Sequence, residues 1–168
     1  MNKYKIICVT QIYNEIEKGN LERFFLYAKP LFDGLIIYDD ASTDGGFEYA
    51  CTQTPHVIRG TKNDFLRERY HKKLLLEKAL SLSPDAIVYL DADEVLSAGA
   101  KEQLQLLAKE CIDKNLDGFQ FHKINLWRSA TWQRKDSFFD IGWFTHFWRV
   151  TPDMRYYDVK PGLHQPPY

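Results

Sequence analysis

The chain has 168 residues, 45% of them hydrophobic, enough for one substantial core and too few for two. Twenty-two basic side chains against 23 acidic ones give a formal net charge of -1, which excludes a protein that holds nucleic acid by bulk positive charge. Cys8, Cys51 and Cys111 are odd in number, far apart and without a CxxC pair, so they read as reduced, buried thiols of a cytoplasmic protein, not a disulfide or zinc framework.

The N-terminal stretch "MNKYKIICVTQIYNE" lacks a small-residue cleavage site, and no apolar run reaches the roughly 18 residues that a bilayer span needs. No export signal or membrane anchor is expected. In chain order, "YKIICVTQI" (4–12) is a β-branched run that predicts a strand. Leu21, Phe24, Phe25 and Ala28 recur at helical spacing before Pro30. "GLIIYDD" (34–40) repeats the strand pattern, and "HVIRG" (56–60) is a shorter one. Phe65, Leu66, Tyr70, Leu74, Leu75, Ala79 and Leu80 mark a second helix, "AIVYLDAD" (86–93) another strand, and Leu104, Leu107, Ala108, Cys111 and Ile112 a further helix. Strands that are apolar throughout, alternating with helices, predict an α/β fold with a Rossmann-like, mostly parallel sheet flanked by helices on both faces. After residue 116 the segment "DGFQFHKINLWRSATWQRKDSFFDIGWFTHFWRV" holds ten aromatics and predicts a mixed-strand extension of the same sheet. No linker or repeat divides the chain, so a single domain over 1–168 is expected, and the ending "GLHQPPY", without a closing element, suggests a fragment of a longer protein.

Ligands of open α/β sheets collect beyond the carboxyl ends of the strands. Two of these ends are acidic here: Asp39-Asp40, and Asp91-Ala92-Asp93-Glu94. If the strand stays extended through Ala92, Asp91 and Asp93 point to one side, roughly 6 to 7 Å apart, a spacing that suits one divalent ion. Clustered carboxylates are costly to keep ionised without a cation, and Mg²⁺ or Mn²⁺ takes one or two of them while a phosphate fills other positions. The alternative is helix capping, which is preferred for Glu94 and for Ser97 as an N-cap. Val95 and Leu96 stand where an EF-hand calcium loop needs an oxygen ligand and a glycine, which excludes such a loop.

Together, "ICVTQIYNE", "IIYDDASTDGG" and "AIVYLDADEVL" resemble, in order and spacing, the nucleotide-sugar-binding half of family 2 glycosyltransferases with the A-type fold. The match is good over roughly 4–100 and weaker beyond, and it implies a nucleotide-sugar part over 1–116 and the start of an acceptor part over 117–168. It places Thr10, Asn14 and Glu15 along the nucleotide pocket, with Asp39 on the base or ribose and Asp40 and Ser42 beside it. Thr43 and Asp44 continue that turn, Asp44 being equally readable as a helix cap. By resemblance Asp91 and Asp93 hold Mn²⁺ or Mg²⁺ on the diphosphate, Asp93 most directly, with Ala92 between them at the donor. One of Arg67 and Arg69 is expected at the diphosphate, whereas Lys72 and Lys73 read as surface.

The acceptor hydroxyl needs a base, which in inverting relatives is an acid downstream of the metal motif. Asp136, Asp140, Asp153 and Asp158 are candidates, with Asp140 preferred. Leu163-His164-Gln165 matches a Val-His-Glu triplet of some bacterial members, so that His164 is a candidate third metal ligand while Gln165 departs from the pattern. One or two tryptophans are expected to be accessible to ligand. The implied activity is transfer of a sugar from a nucleoside-diphosphate sugar to a glycan, lipid-linked or protein acceptor, with inversion. Its setting is cell-surface polysaccharide or lipopolysaccharide synthesis, in the cytoplasm or at the inner face of a membrane. Two rivals are a haloacid-dehalogenase-type phosphatase, with Asp91 as nucleophile and Asp93 as acid/base, and a catalytically silent module that binds a nucleotide sugar.

Overall fold

The computed structural model describes residues 3–136 and 142–156. The β-branched runs become β1 (Ile6–Ile12), β2 (Gly34–Asp39), β3 (Val57–Arg59) and β4 (Ala86–Tyr89). Between and after them lie α1 (Asn20–Ala28), α2 (Gly46–Gln53), α3 (Glu68–Leu80) and α4 (Ala100–Lys114), with a 3₁₀ turn at Phe65–Arg67 leading into α3. The aromatic segment supplies β5 (Gly118–His122), β6 (Leu126–Trp127), β7 (Ser129–Gln133) and β8 (Trp143–Arg149). The main sheet has the order β3-β2-β1-β4-β8-β5. Its first four strands are parallel, and β8 runs antiparallel to both β4 and β5. β6 and β7 form a separate two-stranded sheet.

Successive residues of a strand point to opposite faces, and both faces of this sheet are covered. Ile6, Cys8, Ile12, Leu35, Ile37, Val88 and Phe147 pack with Leu21, Phe24 and Phe25 of α1, Ala50 of α2 and Leu104 and Ala108 of α4. Their neighbours Ile7, Val9, Ile36, Tyr38 and Ile87 pack with Leu75, Leu76 and Ala79 of α3. That two-sided burial is why the strands read as unbroken apolar runs.

Three details differ from the sequence reading. Helix α2 carries too weak a stripe to be seen in advance, since Gly46 and Ala50 alone are buried. Strand β4 stops at Tyr89, so the extended geometry assumed through Ala92 does not hold. Helix α4 begins after Gly99, whose φ of 79° suits glycine, so Ser97 is not its N-cap. Of the three free cysteines, Cys8 and Cys111 are buried and Cys51 is exposed.

Gly118 marks the tightest approach between β5 and β8: a Cβ there would run into the Phe147 carbonyl oxygen. Gly118→Ala is therefore expected to force the two strands apart and to cost about 2 kcal/mol or more. Urea denaturation checks this, and an unchanged midpoint would contradict so close a packing.

Candidate functional site

Because both faces of the sheet are apolar, its polar groups gather where the strands end. Asp39 and Asp40, adjacent at the end of β2, are both fully buried and face opposite sides. The Ser42 amide donates to both Asp39 oxygens at 3.3 and 3.2 Å, and Arg59 Nε lies 3.8 Å from Oδ2. Arg59 is itself stacked 4.2 Å above the Phe47 ring and ion-paired with Glu48 at 3.3 Å. Burial raises the Asp39 carboxyl above its usual range, although the Ser42 bonds and Arg59 oppose the shift. Asp40 instead accepts from Asn63 Nδ2 at 2.9 Å and from the Asp64 amide at 3.1 Å. His71 Nε2 approaches Asp40 to 3.9 Å while its ring stacks on Tyr38 at 4.2 Å. Burial lowers the His71 pKa, against the pull of Asp40.

The β1 end is tied to this turn. Asn14, at φ 51°, donates its amide to Ser42 Oγ at 3.0 Å and accepts from the Thr43 amide at 2.8 Å. Asp44 accepts from the amides of Ile16, Glu17 and Gly46 at 2.8, 3.1 and 2.9 Å, so it clasps the loop after β1 to the start of α2. Of its two readings, the structural one has the observed contacts. Glu15 turns to Lys18 and Asn20, both at 2.7 Å, and organises the entry to α1. Thr10 is fully buried within β1. Of the residues expected along the nucleotide pocket, Thr10 is therefore enclosed within the strand and Glu15 is engaged at the entry to α1.

Beyond β4 the chain folds into a turn. The Glu94 amide donates to the Asp91 carbonyl and Glu94 Oε2 accepts from the Asp91 amide, both at 2.9 Å, and Lys123 pairs with Glu94 at 2.6 Å. Glu94 therefore closes this turn and does not cap α4. Ala92 is buried, Asp91 half-buried and Asp93 exposed. Burial first, then the charges of Glu94 and Asp93, raise the Asp91 carboxyl, with Lys123 and Lys72 opposing. Lys123 is raised in turn: burial works against its charge, but Glu94, Asp91 and Asp93 outweigh it.

At the end of the 3₁₀ turn before α3, Arg67 is exposed with its guanidinium 4.7 Å above the Tyr70 ring, and Arg69 on α3 is half-buried. Lys72, expected at the surface, is buried, paired with Glu68 at 2.7 Å. Helical i,i+4 charge pairs usually sit in solvent, so spacing alone gave no sign of this. His146, also missed, sets Nδ1 2.7 Å from the Tyr89 carbonyl oxygen. Its ring stacks with Phe121 at 6.0 Å, in the cluster that holds Phe147, and β8 shifts register against β5 at this point, so the alternation in "WFTHFWRV" gives no sign of it.

In the aromatic segment, Asp136 is exposed and gripped by Arg134 at 2.9 and 3.0 Å, with Arg134 stacked over Trp127. Asp153 is exposed. Trp127, Trp132 and Trp143 are exposed to solvent. Asp140, Asp158, His164 and Gln165 lie outside the described residues. Among the described residues, no three His, Cys, Asp or Glu side chains gather as a metal cage.

Parallel strands in the order 3-2-1-4, acids at the ends of β2 and β4 and an antiparallel β8 beside β4 make an α/β protein with a fold of the glycosyltransferase A kind. Among solved structures, Staphylococcus aureus TarS 1-349 is similar with a TM-score of 0.54 and 16% identity, over 86% of this chain and 47% of its own. The same protein in complex with UDP-GlcNAc is similar with a TM-score of 0.51 and 17% identity, over 79% and 37%, and in complex with UDP with 0.50 and 17%, over 79% and 38%. At such identity the likeness is one of fold, and the chain spans less than half the length of these structures. No protein-family model matches the sequence, and no curated protein matches it.

A carboxyl whose folded pKa is raised contributes stability that is complete below its unfolded value, near 3.9, and lost as pH rises through the folded value. Without divalent cations, Asp91→Asn is therefore expected to melt higher than the parent chain at pH 7, the gap closing toward pH 4. Melting curves across that range check the sign; a variant that melts lower at pH 7 would contradict it.

Proposed function

We propose that the chain binds a nucleoside-diphosphate sugar across the carboxyl ends of β1, β2 and β4 and transfers its sugar to an acceptor hydroxyl, as part of a metal-dependent glycosyltransferase. The observation that carries this reading is the acidic turn Asp91-Ala92-Asp93 at the end of β4, on a fold shared with a TarS structure solved with UDP-GlcNAc. Asp91 and Asp93 fit an Mg²⁺ or Mn²⁺ site of the open kind: two carboxylates, an Asp91 whose ionised form is disfavoured first by burial and then by the Glu94 and Asp93 charges, and an exposed side at Asp93 where phosphate oxygens and water would complete the shell. His164 is kept as a candidate further ligand. The bound ion would supply positive charge at the diphosphate, where negative charge grows as the glycosyl bond breaks.

The protein's own groups do the rest. The half-buried Arg69 and exposed Arg67, at the start of α3, offer cationic charge to the same phosphates. Asp39, rigidly held by Ser42 and Arg59, presents a buried carboxyl to the base or ribose, with Asp40 fixing the neighbouring 63–64 loop. The Asn14–Thr43 bonds and the Asp44 clasp keep the β1 and β2 loops in one arrangement, which preorganises the pocket. Asp140 is our choice of base: it takes the proton of the acceptor hydroxyl, whose oxygen bonds to the anomeric carbon from the face opposite the diphosphate as the bond to that leaving group breaks, inverting the centre. Asp136, already gripped by Arg134, is the weaker candidate. The acceptor is a glycan, lipid-linked or protein hydroxyl in cell-surface polysaccharide or lipopolysaccharide synthesis, and none of the helices is long and apolar enough to cross a membrane among the described residues.

A ligand present at a hundred times its Kd stabilises the folded state by about 2.7 kcal/mol, which for a chain of this size is a melting shift of roughly 5 to 10 °C. UDP with Mn²⁺ is expected to give such a shift, and Asp93→Asn to abolish it. Absence of a shift with UDP, GDP, CDP and dTDP, each tried with and without Mn²⁺, would overturn the donor site.

A further inference from the structure

Between β5 and β8 the chain leaves the main sheet and forms the two-stranded ribbon β6–β7, which pairs with no other strand among the described residues. A ribbon of two strands is marginal in water when nothing covers its apolar side chains. Here those side chains face solvent: Trp132 is 67% exposed, Ile124 55%, Leu126 53% and Trp127 44%. Trp143, which pairs with His122 where the ribbon leaves the sheet, is 64% exposed. Apolar side chains gathered at the surface in this way mark a place of contact.

Charge indicates the partner. Within 123–136, Lys123, Arg128, Arg134 and Lys135 stand against Asp136 alone, a formal charge of +3, whereas the rest of the chain has 18 basic against 22 acidic side chains, a formal -4. The partner is therefore anionic. A sugar platform fits poorly, because Ile124 and Leu126 offer nothing to hydroxyl groups and the guanidiniums of Arg134 and Arg128 already lie over the Trp127 ring, at 4.8 and 5.6 Å. Exposed tryptophan and aliphatic side chains edged by arginine and lysine suit the boundary between the headgroups and acyl chains of an anionic bilayer.

We propose that the β6–β7 ribbon, with Trp143, docks the chain on an anionic phospholipid surface: Ile124, Leu126 and the tryptophans enter the headgroup boundary, and Arg128 and Lys135 meet lipid phosphates. Lys123, the residue before Ile124, pairs with Glu94 at 2.6 Å and so ties the ribbon to the acidic turn. That docking holds a sugar-transfer site at the headgroups rests on the donor-site reading; the docking itself does not. Sedimentation with vesicles of phosphatidylcholine and phosphatidylglycerol in equal parts tests it. The chain should bind them at low salt, and about 10-fold or more weaker at high salt or with phosphatidylcholine alone, since each basic side chain near such a surface contributes roughly 5-fold. Arg128→Gln with Lys135→Gln, and Ile124→Ser with Trp132→Ser, should each weaken binding about 10-fold or more while leaving the melting temperature unchanged. If the serine pair does not fold, the glutamine pair decides alone. A parent chain that stays in the supernatant, or binding that neither pair weakens, would overturn the proposal. So would a soluble dimer that the serine pair dissociates, because the patch would then belong to a second copy. The melting shift with UDP and Mn²⁺ is read without vesicles, so the donor site stands or falls separately.

Discussion

A parallel sheet covered on both faces has no place for a charge except where its strands end, and the rest of this molecule follows from that constraint. Ile7, Val9 and Ile87 are committed to α3, and Ile6, Cys8 and Val88 to the helices opposite. Asp39 and Asp40 then follow the same alternation to opposite sides of β2, each fully buried. A buried carboxylate needs donors, and the loops and the end of β3 provide them: the Ser42 amide and Arg59 for one, Asn63 and the Asp64 amide for the other. The apolar core thus dictates the loop structure, and the loops in turn build the candidate pocket.

Such a site stores unfavourable electrostatics. At the end of β4, burial first and then the charges of Glu94 and Asp93 in the same turn disfavour an ionised Asp91, with Lys123 and Lys72 as the opposing charges. Clustered like charge is a recurrent mark of sites that act on charged ligands. Rigid surroundings allow it to persist: the turn is closed by reciprocal bonds between Asp91 and Glu94, and the neighbouring loop by Asn14 and Asp44.

Much of this could be read from the chain itself, because the signals were strong and local. Unbroken runs such as Leu35-Ile36-Ile37-Tyr38 in "GLIIYDD" announced buried parallel strands, and the acids directly after them lie, as expected, where those strands end. The turn at Ala92 was hidden because strand alternation says nothing about where a strand stops. Lys72 was hidden because its burial depends on Tyr89 and on Met154 and Tyr156, which are remote in sequence. Asp44 showed the limit of motif reading, since a carboxylate in a glycine-rich turn satisfies loop amides as readily as it serves a ligand, and only the three bonded amides distinguish the two.

The placement of β8 has a consequence in time. Val88 pairs with Phe147, so the strand that carries the acidic turn is flanked on one side by β1 and on the other by a segment made much later. Until that segment emerges during synthesis, the outer backbone of β4 is an open edge, and open edges pair with whatever strand is offered. Closing that edge requires a loop closure longer than those that join β1, β2 and β3, and until it is made the edge beside the acidic turn is exposed to misassembly.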